Sequence, residues 1–339
     1  MVLTVKKALE NRFLKKEVIR LKKEVESRYH FHSLIGKSRA MQNIYDLIVR
    51  LGDTAGNVLI TGESGTGKEL VAKAIHYRGA RKEGPFIAVN CAAIPETLLE
   101  SELFGYKRGA FTDARTDKKG LLSEADGGTL FLDEITEMLS TLQAKLLRVI
   151  EDRQVRPLGD TRSYPLDARF ISTSNRDVSS LIRQGRFRED LYYRLKVIDI
   201  EIPPLRERKE DIPLLVRHFI RKFKADLNKE VSGISEEALR ILMNYSWPGN
   251  VRELENIVQR ALTLSRQDIV SPEDLPAALV QAADENLIER GLRKQFTLDQ
   301  LEKEYIRRVL SEAGGNKSKA AEILGLDRKT LYRKIQDGQ

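Results

Sequence analysis

The chain has 339 residues, a formal net charge of +8, 41% hydrophobic residues and one cysteine. That length allows two or three domains, and that apolar content supports a real core, which excludes a disordered chain. A single thiol excludes a disulfide framework, and no apolar run approaches the roughly 20 residues that a membrane-spanning helix needs.

With no apolar signal segment at the start, a soluble, cytoplasmic protein without a membrane partner is expected. The four histidines show no metal-ligand spacing with Cys91, which sits in the apolar run Ile87–Ala93 and reads as a buried, inert thiol. The positive charge invites a nucleic-acid reading. Its distribution does not locate one: residues 1–28 carry nine Lys/Arg against four Glu, and residues 298–339 carry nine against seven Asp/Glu.

In chain order, Leu14, Val18, Leu21 and Val25 follow a four-three-four spacing among Lys and Glu. This predicts a helical linker over 1–31, either a short coiled coil or a solvated connector. From His32 to about Pro203, apolar strands at Val58–Thr61, Pro85–Val89, Thr129–Asp133, Arg169–Thr173 and Val197–Ile202 alternate with helical stretches. The alternation predicts a parallel sheet covered by helices over 32–204. Residues 205–275 read as a helical lid with helices only, 276–296 as a linker, and 297–339 as a compact helical tail.

The first strand feeds a glycine-rich loop that opens into a helix. Gly62, Glu63, Ser64, Gly65, Thr66, Gly67, Lys68 and Glu69 therefore read as the cradle of a nucleoside triphosphate. Gly62, Gly65 and Gly67 let the backbone curl with its N–H groups inward, and Lys68 can reach the terminal phosphates at the helix N-terminus. Most such loops place Ser or Thr after the lysine for magnesium; Glu69 stands there, so the metal must lean on other oxygens. The buried strand 127–134 ends in two carboxylates, which a parallel sheet delivers to the same edge as that loop. Asp133 is the expected magnesium (Mg) ligand and Glu134 the group that orients and deprotonates the attacking water. Asn175, after the next strand, projects between these carboxylates and the terminal phosphate. Asn250 is expected to cap a helix from Val251, with Glu253 completing a capping box, so that Arg252 faces the nucleotide.

Phe104–Asp117 interrupts the sheet pattern with a glycine- and charge-rich excursion that displays Phe111 and Thr112. An exposed aromatic on a loop suggests a partner; packing back on its own domain is the other reading. In the tail, Leu298, Leu301, Tyr305 and Val309 share one helix face ending near Gly314-Gly315. Asn316 or Ser318 then caps a second helix, and a turn at Gly325 leads to a cationic third. Ala321 is small where the helices cross, and Leu324, Leu326, Leu331 and Ile335 can form a miniature core. Lys317, Arg328, Thr330, Tyr332, Arg333 and Lys334 are left to face double-stranded DNA, where arginine reads guanine edges and the other cations position phosphates.

These motifs in this order resemble the AAA+ module of bacterial enhancer-binding proteins, the activators of sigma-54 RNA polymerase. The strings are Gly62–Glu69, Gly109–Ala114, Gly127–Glu134, Arg186–Leu195 and Trp247–Leu254. The tail resembles the Fis-type DNA-binding domain. The resemblance implies an α/β fold: an AAA+ P-loop parallel sheet with helices on both faces, a helical lid and a separate all-α helix-turn-helix domain. It implies ATP hydrolysis coupled to remodelling of the sigma-54 RNA polymerase holoenzyme, and it explains Glu69, a glutamate the family carries at that position. It also assigns Asn90 as the partner that restrains Glu134 between cycles. Arg188 and Arg194 become fingers reaching the neighbouring subunit's nucleotide, within a homo-oligomer that is a hexamer or heptamer ring. Phe111 and Thr112 stand where the family contacts sigma-54, but Asp113 replaces the usual glycine and adds charge at the loop tip. A remodeller with another client is therefore the alternative. The tail's first helix would pair two copies on a near-palindromic upstream site. The opening Val2–Leu9 and the helix after it resemble the end of a response-regulator receiver domain and its linker, which implies a two-component system and either a shortened chain or one freed from phosphorylation control.

Overall fold

The computed structural model describes residues 34–52, 54–112, 114–227, 233–265, 267–280, 297–313, 316–327, 329–331 and 334. The expected seam at Leu14–Val25 and the positions Asp113, Arg328, Tyr332 and Arg333 lie outside them. Two compact units are distinguished. One runs to Lys229 and includes Ser246–Gln259; the other holds Glu230–Tyr245 and the chain from Arg260.

The first unit is built on five parallel strands: β1 (Val58–Thr61), β2 (Phe86–Asn90), β3 (Thr129–Asp133), β4 (Arg169–Ser174) and β5 (Ile198–Glu201). They lie in the order β2-β3-β4-β1-β5, so β1 and the loop after it sit between β4 and β5. All five strands match the expected ones to within a residue or two. Period-two alternation feeds both faces. Leu130, Leu132 and Phe170 enter one apolar cluster with Leu142 and Leu146, while Phe131 and Ile171 enter another with Val58, Ile60, Val71 and Ile75.

Helices α1 (Arg39–Leu51), α2 (Lys68–Arg78), α3 (Glu96–Phe104), α4 (Ser140–Asp152), α5 (Val178–Arg183), α6 (Glu189–Leu195) and α7 (Ile212–Leu227) belong to this unit. Helix α1 shows the sequence logic plainly: Met41, Ile44, Ile48 and Leu51 are buried at three- and four-residue spacing, and the Ser38 hydroxyl caps the start by accepting from the Met41 N–H. Two short antiparallel pairs lie off the sheet, Gly105–Tyr106 with Lys118–Lys119 and Gln154–Val155 with Tyr164–Pro165.

Beyond Tyr245 the chain forms α9 (Asn250–Leu264), preceded by α8 (Glu236–Asn244), whose cap is Ser235. The expectation of helices alone over 205–275 is corrected by one feature: Gly233–Ile234 pairs in parallel with Ile269–Val270. A two-residue ladder carries no readable period, which is why the sequence does not announce it. The tail contributes α10 (Leu298–Glu312) and α11 (Lys317–Ile323), the latter capped by Asn316 and followed by Gly325 in a left-handed turn. Its core is Ile306, Val309, Ala320, Ala321 and Leu331, with Leu324 at the margin. Leu298 and Tyr305, expected to share a face with Val309, are exposed.

Candidate functional site

The loop between β1 and α2 has the required backbone. Gly62, Gly65 and Gly67 all take positive φ (150°, 77° and 102°), and a Cβ on Gly65 would meet the Gly249 carbonyl at 2.3 Å. Lys68 begins α2, and its ammonium donates to the carbonyls of Gly62 at 2.8 Å and Glu63 at 3.0 Å. Burial holds this ammonium below its ordinary pKa, with Asp133 and Glu134 pulling the other way. Glu69 pairs with Lys73 one turn along the helix at 2.7 Å.

Side chains distant in sequence clamp this loop. Arg206 makes a two-pronged pair with Glu63, at 2.9 and 2.6 Å, and this pair, helped by Asn250, holds the Glu63 carboxyl below the usual range. Buried Arg208 donates to the Thr66 carbonyl at 3.0 Å. Buried Asp211 accepts from the amides of Lys37 and Ser38 and from the Ser38 hydroxyl, tying the start of α1 to the same region. Asn250, fully buried with φ of 53°, donates to Glu63 at 3.1 Å and the Ser64 carbonyl at 3.0 Å, and accepts from the Leu205 N–H at 2.8 Å.

The expected capping box is therefore corrected. The Asn250 side chain is committed elsewhere, the first amides of α9 (Val251 and Arg252) donate to the Gly65 carbonyl at 3.0 and 3.3 Å, and Glu253 accepts from the Gly249 N–H at 2.8 Å. The phosphate loop itself satisfies two of the first-turn donors of that helix, the Trp247 and Gly249 carbonyls taking those of Asn250 and Glu253. Arg252 reaches the Ser64 hydroxyl at 3.5 Å.

At the end of β3, Asp133 accepts from the Thr173 hydroxyl at 2.5 Å and from Asn90 Nδ2 at 3.0 Å. Glu134 takes a left-handed backbone (φ 53°), its N–H donates to Thr173 Oγ1 at 3.0 Å, and its carboxylate accepts from Asn175 Nδ2 at 3.1 Å. Here the structure differs from the expectation for Asn90: Asn90 is on Asp133, its carbonyl oxygen held by the amides of Ala92 and Ala93, and Asn175 is the residue on Glu134. Strand pairing explains this, because β2 and β3 place Asn90 and Asp133 directly opposite. Among the described residues no cluster of three or more His, Cys, Asp or Glu encloses a metal position. The oxygen donors present fit magnesium held by one carboxylate plus phosphate oxygens.

Arg188 precedes α6 and Arg194 lies in its last turn. Each is taken up by a nearby carboxylate rather than by the phosphate loop: Arg188 grips Asp190 with two bonds of 3.0 and 2.6 Å, and Arg194 meets Glu151 at 3.0 Å. Phe111 keeps 44% of its surface exposed while its ring meets Tyr106 edge-on at 4.9 Å. The loop beneath it is held by Gly109 N–H to Ala114 O, Arg108 N–H to Asp117, and Lys107 to Asp117 at 2.6 Å. Thr112 is exposed at the tip. In the tail Lys317 is exposed and Thr330 half-buried, while Lys334 is paired with Glu302 at 2.6 Å.

The sequence reading missed Thr173, Arg206, Arg208 and Asp211. Thr173 had a signal: hydroxyls at 172–174 follow the apolar pair Phe170-Ile171 at the end of a buried strand. The others fall in a charged stretch without period, and only tertiary contacts single them out.

Three family models match the chain: the Sigma-54 interaction domain over residues 34–201, the AAA+ ATPase lid domain over 206–290, and the Bacterial regulatory protein, Fis family, over 297–337. Regulatory protein AtoC of Escherichia coli K12 is 42% identical over 342 residues, covering 99% of this chain and 74% of that protein. Transcriptional regulatory protein ZraR of the same organism is 46% identical over 303 residues, covering 89% and 68%. Among solved structures, NtrX from Brucella abortus in complex with ADP superimposes with a TM-score of 0.73 at 37% identity, covering 99% of this chain and 74% of that one. The alternative of another client finds no support in these matches. Among the described residues no helix is long and apolar enough to cross a membrane.

Proposed function

Because the chain belongs to the sigma-54-dependent transcriptional activators, DNA-binding AAA+ ATPases, we propose that it couples ATP hydrolysis to remodelling of sigma-54 RNA polymerase holoenzyme at promoters. The tail tethers it to upstream DNA and so raises its local concentration. In this reading residues 1–31 are a linker, 32–204 and 205–275 form the ATPase and its lid, 276–296 connect, and 297–339 bind DNA. The partner, RNA polymerase, puts the protein in the cytoplasm.

The work divides among named residues. The loop Gly62–Glu69 and Arg252 hold the phosphates, and Lys68 leaves its two carbonyls for them. Asp133 would hold magnesium, which when bound supplies charge neutralisation on the phosphate oxygens. Glu134 orients water and takes its proton, and Asn175 fixes the Glu134 carboxylate. Arg188 and Arg194 release Asp190 and Glu151 to serve the site of a neighbouring subunit in a hexamer or heptamer, a contribution of about 10³–10⁵ in rate for such a finger. Phe111 and Thr112 touch sigma-54. In the tail, Lys317, Arg328, Thr330, Tyr332, Arg333 and Lys334 face DNA, and two tails pair through the exposed Leu298 and Tyr305 face to bind half-sites about 34 Å apart.

The observation that supports this most is Glu134 at the end of β3, on the sheet edge of the phosphate loop and held by Asn175 at 3.1 Å. Purified sigma-54 is expected to form a complex with this protein in the presence of ADP and a metal-fluoride mimic of the transferring phosphoryl group, and not with ADP alone. Robust ATP turnover without that complex would overturn the choice of client.

A further inference from the structure

Gln143 lies on α4 with no exposure to solvent, beside Leu142 and Leu146 of the apolar cluster. A carboxamide buried there is unfavourable unless all of its groups are bonded, and here they are. Its Nε2 donates to the carbonyls of Met138 at 2.8 Å and Arg186 at 3.1 Å, and its Oε1 accepts from the Arg188 N–H at 2.9 Å.

These bonds hold the backbone on both sides of buried Phe187, so they fix the point from which the Arg188 side chain projects. The other grip on Arg188, its pair with Asp190, is about half exposed and contributes little to position. Met138 ends the 3₁₀ turn Ile135–Glu137 that starts at Glu134. One side chain thus ties the root of Arg188 to the turn behind the carboxylate that orients water.

We infer that Gln143 is a positioning residue for Arg188, setting the reach of that arginine into the neighbouring subunit's site. The inference rests on the reading of Arg188 as trans-acting, and subunit mixing separates the two. A finger displaced by about an ångström costs about a hundredfold in rate. Gln143→Met keeps the side-chain length and loses all three bonds. In the full chain it is expected to lower ATP turnover by about that factor while ATP affinity stays within about twofold.

Mixing it with Glu134→Gln protein, which lacks the base but carries intact arginines, is then expected to restore turnover, because Gln143→Met sites receive well-placed fingers from their neighbours. Arg188→Ala mixed with Glu134→Gln is the reference and should recover likewise. Undiminished turnover of Gln143→Met, or a loss that mixing does not repair although Arg188→Ala is repaired, would overturn the role of Gln143. No repair of Arg188→Ala would overturn the trans reading and this inference with it. If Gln143→Met does not fold, Gln143→Asn, which withdraws the carboxamide by one methylene, carries the same test.

Discussion

The phosphate loop, between β1 and α2, and the excursion at 105–119, between two short paired strands, are both glycine-containing loops, yet they are built oppositely. The first is gripped along its length by groups from far away in the sequence: the side chains of Arg206 and Asn250 on Glu63, that of Arg208 on the Thr66 carbonyl, and the backbone amides of Val251 and Arg252 on the Gly65 carbonyl. Among the described residues the second is held by short-range bonds, Gly109 N–H to Ala114 O, Ala114 N–H to Phe111 O and Asp117 to Lys107 and Arg108, with one long-range tie from Lys107 N–H to the Leu158 carbonyl, and it presents the Phe111 and Thr112 side chains outward. Phosphoryl transfer needs preorganised donors, whereas engaging a partner needs an exposed anchor. The difference in anchoring matches the difference in the tasks proposed for the two loops.

Breaking the clamp is expected to have the largest effect. Asn250→Ala leaves the buried Leu205 N–H without its acceptor and places a left-handed backbone on alanine, for a loss of about 3 kcal/mol and at least about tenfold in ATP affinity. Thermal unfolding together with nucleotide titration checks both, and an unchanged affinity would mean that the loop holds its shape without Asn250.

Acid should act next, beneath the clamped loop. His76 on α2 is buried against the Thr129 hydroxyl at 2.9 Å, and burial, with Arg169 nearby, pushes its pKa down from 6.5 to about 4. The folded state binds this proton less readily than the unfolded chain, so the neutral ring's contribution is complete above pH 6.5 and is lost as pH falls towards 4. The full effect is about 3 kcal/mol. His76→Gln, which can still bond Thr129, should flatten the stability profile across that window; an unchanged slope would assign the acid sensitivity to other groups.

The smallest effect on ATP turnover belongs to the excursion. Phe111→Ala is expected to change stability by less than about 0.5 kcal/mol and to leave hydrolysis nearly unchanged, while binding of sigma-54 in the presence of ADP and metal fluoride is lost. Asp113→Gly should likewise spare turnover. A large fall in hydrolysis from either variant would show that the tip is coupled to the phosphate loop, and the contrast between the two loops would collapse.

Much of the fold was legible because parallel strands buried on both faces leave short apolar runs bounded by turn residues, as at Val58–Thr61 and Thr129–Asp133. The phosphate loop and the paired carboxylates were legible because their chemistry is local in sequence. Partner choice was not. That Asn90 lies on Asp133 follows from strand register, and that Asn250 serves the phosphate loop follows from a contact 186 residues away in the chain. Gln143 carries no local signal at all, since nothing in its sequence neighbours reveals that it faces inward to three backbone groups.

Cys91 follows directly on β2, one of the two edge strands of the sheet; the residue is only 4% exposed, and its backbone N–H donates to the Asp133 carbonyl. Burial pushes this thiol up to about 12, so it is protonated and shielded from oxidants and alkylating agents. As the chain's only sulfhydryl, it is expected to react once the packing around the end of β2 opens. Trapping by a thiol reagent therefore times the opening of that border of the sheet in the unmodified protein, with no label introduced.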